Sequence, residues 1–266
     1  MKIKLDWAFL LCLWIIGGFY VLIILAMLAA NMAYTTPVHL WRSLNSPEIR
    51  YSIQLSLISC TLTAILSLWV SVPIGYILSR YRFPGKGLVD ALLDIPIVLP
   101  PLVIGLSLLI LFQTPPGRWI EQYVAITYAI PSVILAQFMV ACAFAVRTMR
   151  NTFEQISPRQ EQVALTLGCS RRQSFFKIVL PEARQGMLTA LTIAWARAMG
   201  EFGPILVFSG ATRMRTEVLP TTVFLELSVG NIEAAVAVSL LMVGAALSVL
   251  ILVRYWGTER SIETYL

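Results

Sequence analysis

Six long apolar stretches constrain this chain more than any other feature. They run Trp7 to Ala30, Ser52 to Ser79, Ile95 to Phe112, Val124 to Val146, Met187 to Ser209 and Glu233 to Val253. A helix needs about 20 mostly apolar residues to cross the hydrocarbon of a bilayer, and inside lipid the backbone must satisfy its own hydrogen bonds. Each stretch is of that order, so the sequence predicts an all-α integral membrane protein with six transmembrane helices. Composition agrees: 58% of residues are apolar and only 13% charged, against about a quarter charged in soluble domains.

The first stretch has a basic lead, Lys2 and Lys4, and ends in small residues at Ala29 and Ala30, which superficially resembles a cleavable signal peptide. Its apolar run exceeds the roughly 7–15 residues of a signal core, so it is expected to be a retained anchor. Cys12, Cys60 and Cys142 fall in spans and Cys169 in a loop, with no metal-like spacing and no expected disulfide.

The chain carries a formal charge of +6, but its basic residues are scattered and not interleaved with aromatics, which argues against nucleic acid as a partner. They set topology instead. With both termini in the cytoplasm, Lys2, Lys4, Arg80, Arg82, Lys86, Arg147, Arg150, the basic residues from Arg159 to Arg184, Arg254 and Arg260 all lie inside. Only Arg42, Arg50, Arg118, Arg213 and Arg215 lie outside, as the positive-inside rule requires.

The longest cytoplasmic connection, Arg147 to Gly186, reads as structured. Ser157-Pro158-Arg159-Gln160 offers an N-cap serine, a proline at the first helical position and a glutamine three residues on. The helix it starts gathers Val163, Ala164 and Leu167 on one face and stops at Gly168, a residue that tolerates the left-handed conformation. Ser170 with Gln173 repeats the device for a second short helix carrying Phe175, Phe176 and Val179 before Pro181. An apolar face outside the membrane needs a cover, which is either the chain's own spans, the lipid headgroup region or a partner protein.

A resemblance chooses among these. Glu161 to Gly168, then nine residues, then Ile178-Val179-Leu180-Pro181 is similar to the cytoplasmic EAA motif of ABC importer permeases. Gly168, Ile178, Leu180 and Pro181 match at the family spacing, as does Ala164 in the triplet, whereas the acidic residue stands one place early as Glu161. Pro96-Ile-Val-Leu-Pro100-Pro101 followed by Gly105 resembles the third-span motif of molybdate and sulfate type permeases, and Arg197-Ala-Met-Gly200-Glu201-Phe202-Gly203 their fifth-span motif.

The resemblance covers about residues 50 to 255 and implies a type I ABC importer permease fold. Residues 1–50 then form an N-terminal helix and outer loop, 51–255 the permease domain and 256–266 a cytoplasmic tail. It implies that Glu161, Ala164, Leu167, Gly168, Ile178, Leu180 and Pro181 form a coupling helix docking on a separate cytoplasmic ATPase, which uses ATP and Mg. It further implies that this chain itself binds no cofactor and is not an enzyme, in keeping with a sequence without a glycine-rich phosphate loop. The implied partners are that ATPase, an extracytoplasmic solute-binding protein, a second permease copy and membrane lipid. The implied cargo is an oxyanion, molybdate or tungstate, with sulfate as the alternative.

Arg197 and Glu201 stand four apart in the fifth stretch, on one helical face where they can pair. A lone arginine at the bilayer centre costs about 2.5–3.5 kcal/mol, so both are expected to face protein or water. The pair is either a structural lock or, with Gly200 and Gly203, part of a translocation path near its gate. Pro100, Pro101 and Gly105, and likewise Gly203-Pro204, are expected to kink their helices, and such breaks suit either a water-lined path or simple packing. Gly75, Gly244, Ala245 and Ala246 are expected at close helix contacts. Gly210 to Ile232 is expected as an outer loop whose charges, Arg213, Arg215, Glu217 and Glu226, keep it in water or meet a delivered anion.

Two rivals remain. An ion-coupled secondary transporter fits an intramembrane acid, but leaves the capped helix pair without a purpose. An intramembrane metalloprotease fails on ligands, since the single histidine, His39, has no second ligand at metal spacing and no nucleophile sits beside a base.

Overall fold

The need to satisfy backbone groups without water turns the long apolar stretches into helices, and prolines mark several of their starts and the sharpest break, although Pro73 and Pro96 lie inside helices. In the computed structural model, which describes residues 7–262, the long helices are α1 (Trp7–Tyr34), α3 (Pro47–Arg80), α7 (Ile130–Gln155) and α14 (Ile232–Ile262). Lys2, Lys4 and positions 263–266 of the expected tail lie outside the described residues. Each long helix contains a segment long and apolar enough to cross a membrane alone.

The expected third span is not one kinked helix. It is divided between α4 (Lys86–Val98) and α5 (Pro101–Gln113), which meet at 112°. Leu99 and Pro100 are both extended at the corner. A residue before proline is pushed out of the helical region, and two consecutive prolines impose this twice. The expected fifth span is likewise divided, into α11 (Arg184–Met199) and α12 (Gly203–Phe208), with residues 200–202 between them. At about 1.5 Å per residue, neither half alone reaches across about 30 Å of hydrocarbon. Among the described residues, therefore, four single helices and one bent pair meet the length and composition of a span, not six.

The fourth helix starts at Ile130 and not at Val124. Tyr128 adopts a left-handed φ of 56° and Ala129 is extended, so Pro131 in the first turn marks the true start. Short helices α2 (Pro37–Asn45), α6 (Pro115–Glu121) and α13 (Leu219–Ser228) occupy stretches too short to register as spans.

The α3–α7 pair makes the most extensive contact in the chain, and α11 packs against both. Lipid tails are as apolar as leucine, so helices associate through small residues that let backbones approach. Helix α3 buries Ser52, Ser56, Cys60, Thr63, Ser67, Ser71 and Gly75 along one stripe. A Cβ at Gly75 would stand 2.8 Å from the Arg150 backbone nitrogen, so this crossing needs glycine. Helix α11 answers with Ala190, Ala194 and Ala198, all buried. Gly244 has nothing within 4 Å of a built Cβ, so the close contact expected there is absent among the described residues. None of the apolar window of α1 is buried, and it touches the rest of the protein through α14.

Residues 210–232 are not the solvated loop expected from their charges. Glu217 and Glu226 are buried, with Glu226 held by Arg213 at 2.8 Å and by Asn231 at 2.9 Å.

Candidate functional site

Two clusters gather the residues singled out from the sequence. The first is the helical loop between α7 and α11. It contains α8 (Pro158–Thr166), α9 (Arg171–Ser174), one π-helical turn (Phe175–Val179) and α10 (Leu180–Glu182).

Helix α8 ends as its glycine predicts. Gly168 has φ of 88°, its N–H donates to the Leu165 carbonyl at 3.1 Å, and the Cys169 N–H donates to the Ala164 carbonyl at 3.0 Å. That is the paired pattern of a glycine-terminated helix. The Ser170–Gln173 capping box is complete, with bonds of 3.2 and 2.8 Å. At Ser157 the box expected with Gln160 is replaced by a long bond, 3.4 Å, from the Arg159 N–H to the Ser157 hydroxyl. Pro181 does not end the second helix. The wider π turn, with the Leu180 N–H reaching the Phe175 carbonyl, shifts the ladder so that a proline without N–H fits in the run.

The expected common face of Val163, Ala164 and Leu167 is divided. Ala164 is buried, while Val163 and Leu167 are exposed and join exposed Phe176 on the surface of the loop. Buried Ala164 and an ion pair fix which side faces inward. Glu161 accepts from Arg80 Nε at 2.6 Å and from the Tyr76 hydroxyl at 2.9 Å, and Arg80 also donates to the Ile156 carbonyl at 2.9 Å. Tyr76 in turn stands edge-on to Phe175 and Phe153, with ring centroids 4.7 and 5.6 Å apart. Tyr76 went unnoticed in the sequence, and Arg80 carried only a topological signal there. No local pattern marks either as a partner for a residue some eighty positions away.

The second cluster surrounds the two helix breaks. The third-span and fifth-span motifs, far apart in sequence, pack on each other. A Cβ at Gly105 would stand 2.7 Å from the Pro204 Cα, and one at Gly203 would stand 3.0 Å from the Leu102 nitrogen and 3.1 Å from the Pro101 Cβ. Pro100 forms the exposed corner between α4 and α5. Gly200 closes α11 and, unlike Gly203, meets nothing closer than 3.9 Å.

Arg197 and Glu201 form an ion pair at 3.1 Å, with Glu201 buried and Arg197 one-third exposed at its side chain (33%). The Arg197 guanidinium also lies 5.7 Å from the Phe144 ring centroid, within cation–π range. A buried carboxylate needs such a partner. Gln137 on α7 was not foreseen either. Fully buried, it donates to the Ala198 carbonyl at 3.2 Å and accepts from Thr63 at 3.2 Å. A carbonyl beside the break thereby gains a donor from α7. A lone glutamine inside an apolar run was the available signal.

The family described as binding-protein-dependent transport system inner membrane component matches residues 71–260, more than half of the chain. The sulfate transport system permease protein CysT of Escherichia coli (strain K12) is 31% identical over 229 residues, 85% of this chain and 83% of its own length. The molybdate/tungstate transport system permease protein WtpB of Pyrococcus abyssi (strain GE5 / Orsay) is 32% identical over 214 residues, 80% of this chain and 81% of its own. A chain in the crystal structure of a bacterial alginate ABC transporter, in complex with an alginate pentasaccharide-bound periplasmic protein, superimposes with a TM-score of 0.78 at 16% identity. That match covers 97% of this chain and 96% of the other, and shows the fold alone. A matched family pattern over most of its length and relatives above 30% identity place this chain in the binding-protein-dependent transport system inner membrane component family, the permease subunits of ABC importers, which leave ATP hydrolysis to a separate subunit.

Proposed function

We propose that this permease moves a tetrahedral oxyanion, molybdate or tungstate, across the cytoplasmic membrane, with sulfate as the second reading. The observation that carries this is the likeness, over four-fifths or more of the chain, to permeases named for molybdate/tungstate and for sulfate. The divided pairs α4/α5 and α11/α12 each serve as one broken crossing, which with the four long helices gives six spans. Both termini then lie in the cytoplasm, on the side richest in Lys and Arg.

On this orientation the α8–α10 loop meets the ATPase through the exposed Val163, Leu167 and Phe176. A second copy of the permease completes the path. Helix α11 fits this reading because Gln185, Thr189 and Ala196 interrupt the apolar Leu188 and Ile193 on its exposed side, a mixed surface better covered by protein than by lipid alone. Partly exposed Arg197 and buried Glu201 follow at the end of that helix, beside the break. The pair is close to neutral, so it shapes the path near its gate and does not serve as a simple anion trap. Alternating access follows when ATP draws two ATPases together and the paired loops move the bent helices.

The test is uptake into proteoliposomes holding the permease, its ATPase and its solute-binding protein. ATP-dependent accumulation of molybdate, displaced by tungstate in excess and less by sulfate, is expected. Displacement by sulfate alone selects the second reading. Uptake that follows a proton or sodium gradient without ATP overturns the mechanism.

A further inference from the structure

Beyond the ATPase contact itself, and resting on the reading of the α8–α10 loop as that contact, the geometry points to Arg80 as the positioning residue that transmits loop motion into the membrane helices. Helix α8 has little apolar attachment of its own, since Ala164 is its only buried residue. The helical run stops on both sides of it, at extended Ser157 and at left-handed Gly168, so no continuous helix carries force from α8 into α7 or α9. A push on exposed Val163 and Leu167 would therefore be absorbed by rotation of α8 unless a polar tie holds it.

Arg80 supplies that tie. Its guanidinium bonds Glu161 on α8 at 2.6 Å and the Ile156 carbonyl just past the end of α7 at 2.9 Å, from its own place in the last turn of α3. One side chain thus joins α3, α7 and α8, and Tyr76 holds the other Glu161 oxygen at 2.9 Å. The Arg80 and Glu161 side chains are only 10% and 15% exposed, so solvent and salt screen the pair weakly. The planar fork of arginine makes the two bonds at once in fixed directions, which an ammonium on a flexible stem cannot reproduce. Because α3 and α7 make the largest contact in the chain, displacement delivered to the Arg80 end moves that pair as one body.

The experiment compares wild type, Arg80→Ala, Arg80→Lys and Glu161→Gln in proteoliposomes with the ATPase and the solute-binding protein. Three quantities are read: ATPase affinity, ATP hydrolysis rate and molybdate or sulfate imported per ATP hydrolysed. Arg80→Ala is expected to keep ATPase affinity within about threefold and to continue hydrolysis. Its import per ATP falls about tenfold, inside the roughly 5–150-fold span of couplings between sites. Arg80→Lys, which restores the charge and one bond, recovers part of that ratio. Should Arg80→Ala not accumulate in the membrane, Arg80→Lys and Glu161→Gln decide on the same ratio, where a fall supports the tie. An unchanged ratio, whether at full activity or with affinity and import lowered in proportion, overturns it. A wild-type permease that recruits no ATPase fails at the first measurement and sinks the function proposed for the loop. A coupled wild type with an equally coupled Arg80 variant sinks only the role of Arg80.

Discussion

Gly105 of α5 and Pro204 of α12 are in backbone contact, so close that a Cβ on residue 105 would stand 2.7 Å from the Pro204 Cα and 2.8 Å from its carbonyl oxygen. Glycine inside a helix ordinarily costs about 0.5–1 kcal/mol relative to alanine, so Gly→Ala is often stabilising. Here the sign reverses, because the obstructing atoms are backbone and cannot rotate away. Gly105→Ala is expected to lower stability by about 1–3 kcal/mol, as overpacking does. The thermal midpoint of the purified permease measures it, with Gly200→Ala as the control. Residue 200 has nothing nearer than 3.9 Å and should change little. Equal effects at both positions would mean that α5 and α12 do not meet as described.

Glu201 is nearly fully buried and Arg197 is its ion-pair partner. Removing one member of a fully buried pair costs about 3–5 kcal/mol, and the one-third exposure of Arg197 reduces this. Arg197→Ala is therefore expected to destabilise the permease, and adding Glu201→Gln to restore most of the loss by removing the unpaired charge. The informative measurement is ATP-driven uptake by the double variant. A structural lock predicts recovered uptake with recovered stability, whereas a gate role predicts stability without uptake.

Much of this arrangement was legible in the sequence, and the parts that were not share a cause. The apolar runs located the long helices, and Ser170, Gln173 and Gly168 marked helix ends because capping is settled within a few residues. Pro100 and Pro101 announced a break but not its 112° angle, which depends on what α5 packs against. Counting apolar residues also turned Met187 to Ser209 into one helix, because hydropathy does not register where backbone N–H groups lose their partners. The Arg80–Glu161 and Gln137–Ala198 bonds join distant segments, so no window along the chain contains both ends. Glu217 and Glu226 were read as solvated because charge alone suggests water.

Leu167, Val163 and Phe176 are large apolar side chains left on the surface of the α8–α10 loop. If they anchor an ATPase, truncation or charge there should weaken assembly without unfolding the permease. Leu167→Asp combined with Phe176→Asp is expected to raise the ATPase dissociation constant at least about 30-fold, the equivalent of about 2 kcal/mol for a central anchor. The thermal midpoint of the isolated permease should stay within about 2 °C, since both side chains are mostly exposed and Phe176 reaches inward only to the edge of Phe175. Affinity measured by titration of purified ATPase onto permease in nanodiscs checks this. Unchanged affinity would assign these side chains to the headgroup region instead.

Glu217, in the connection between α12 and α13, is fully buried and neither of its oxygens has a hydrogen bond of good geometry. Burial pushes its carboxyl above the ordinary value of 4.5, against the opposing pull of Thr222 and the Arg213 charge, and Glu226 nearby adds to the rise. A carboxyl raised by folding binds its proton more tightly in the native state than in the unfolded chain. Between the ordinary value and the raised one, the native protein holds more protons, so stability falls as pH rises through that window. Below it both states are protonated and the penalty vanishes. Glu217→Gln, which stays neutral at every pH, should therefore exceed wild type in thermal midpoint near neutral pH and converge with it in acid. Midpoints of the two proteins measured from mildly acidic to neutral pH decide the matter. A constant difference across that range would show that the Glu217 carboxylate is already satisfied, most directly by Arg213, and that the Arg213–Glu226 pair does not hold that arginine away from it.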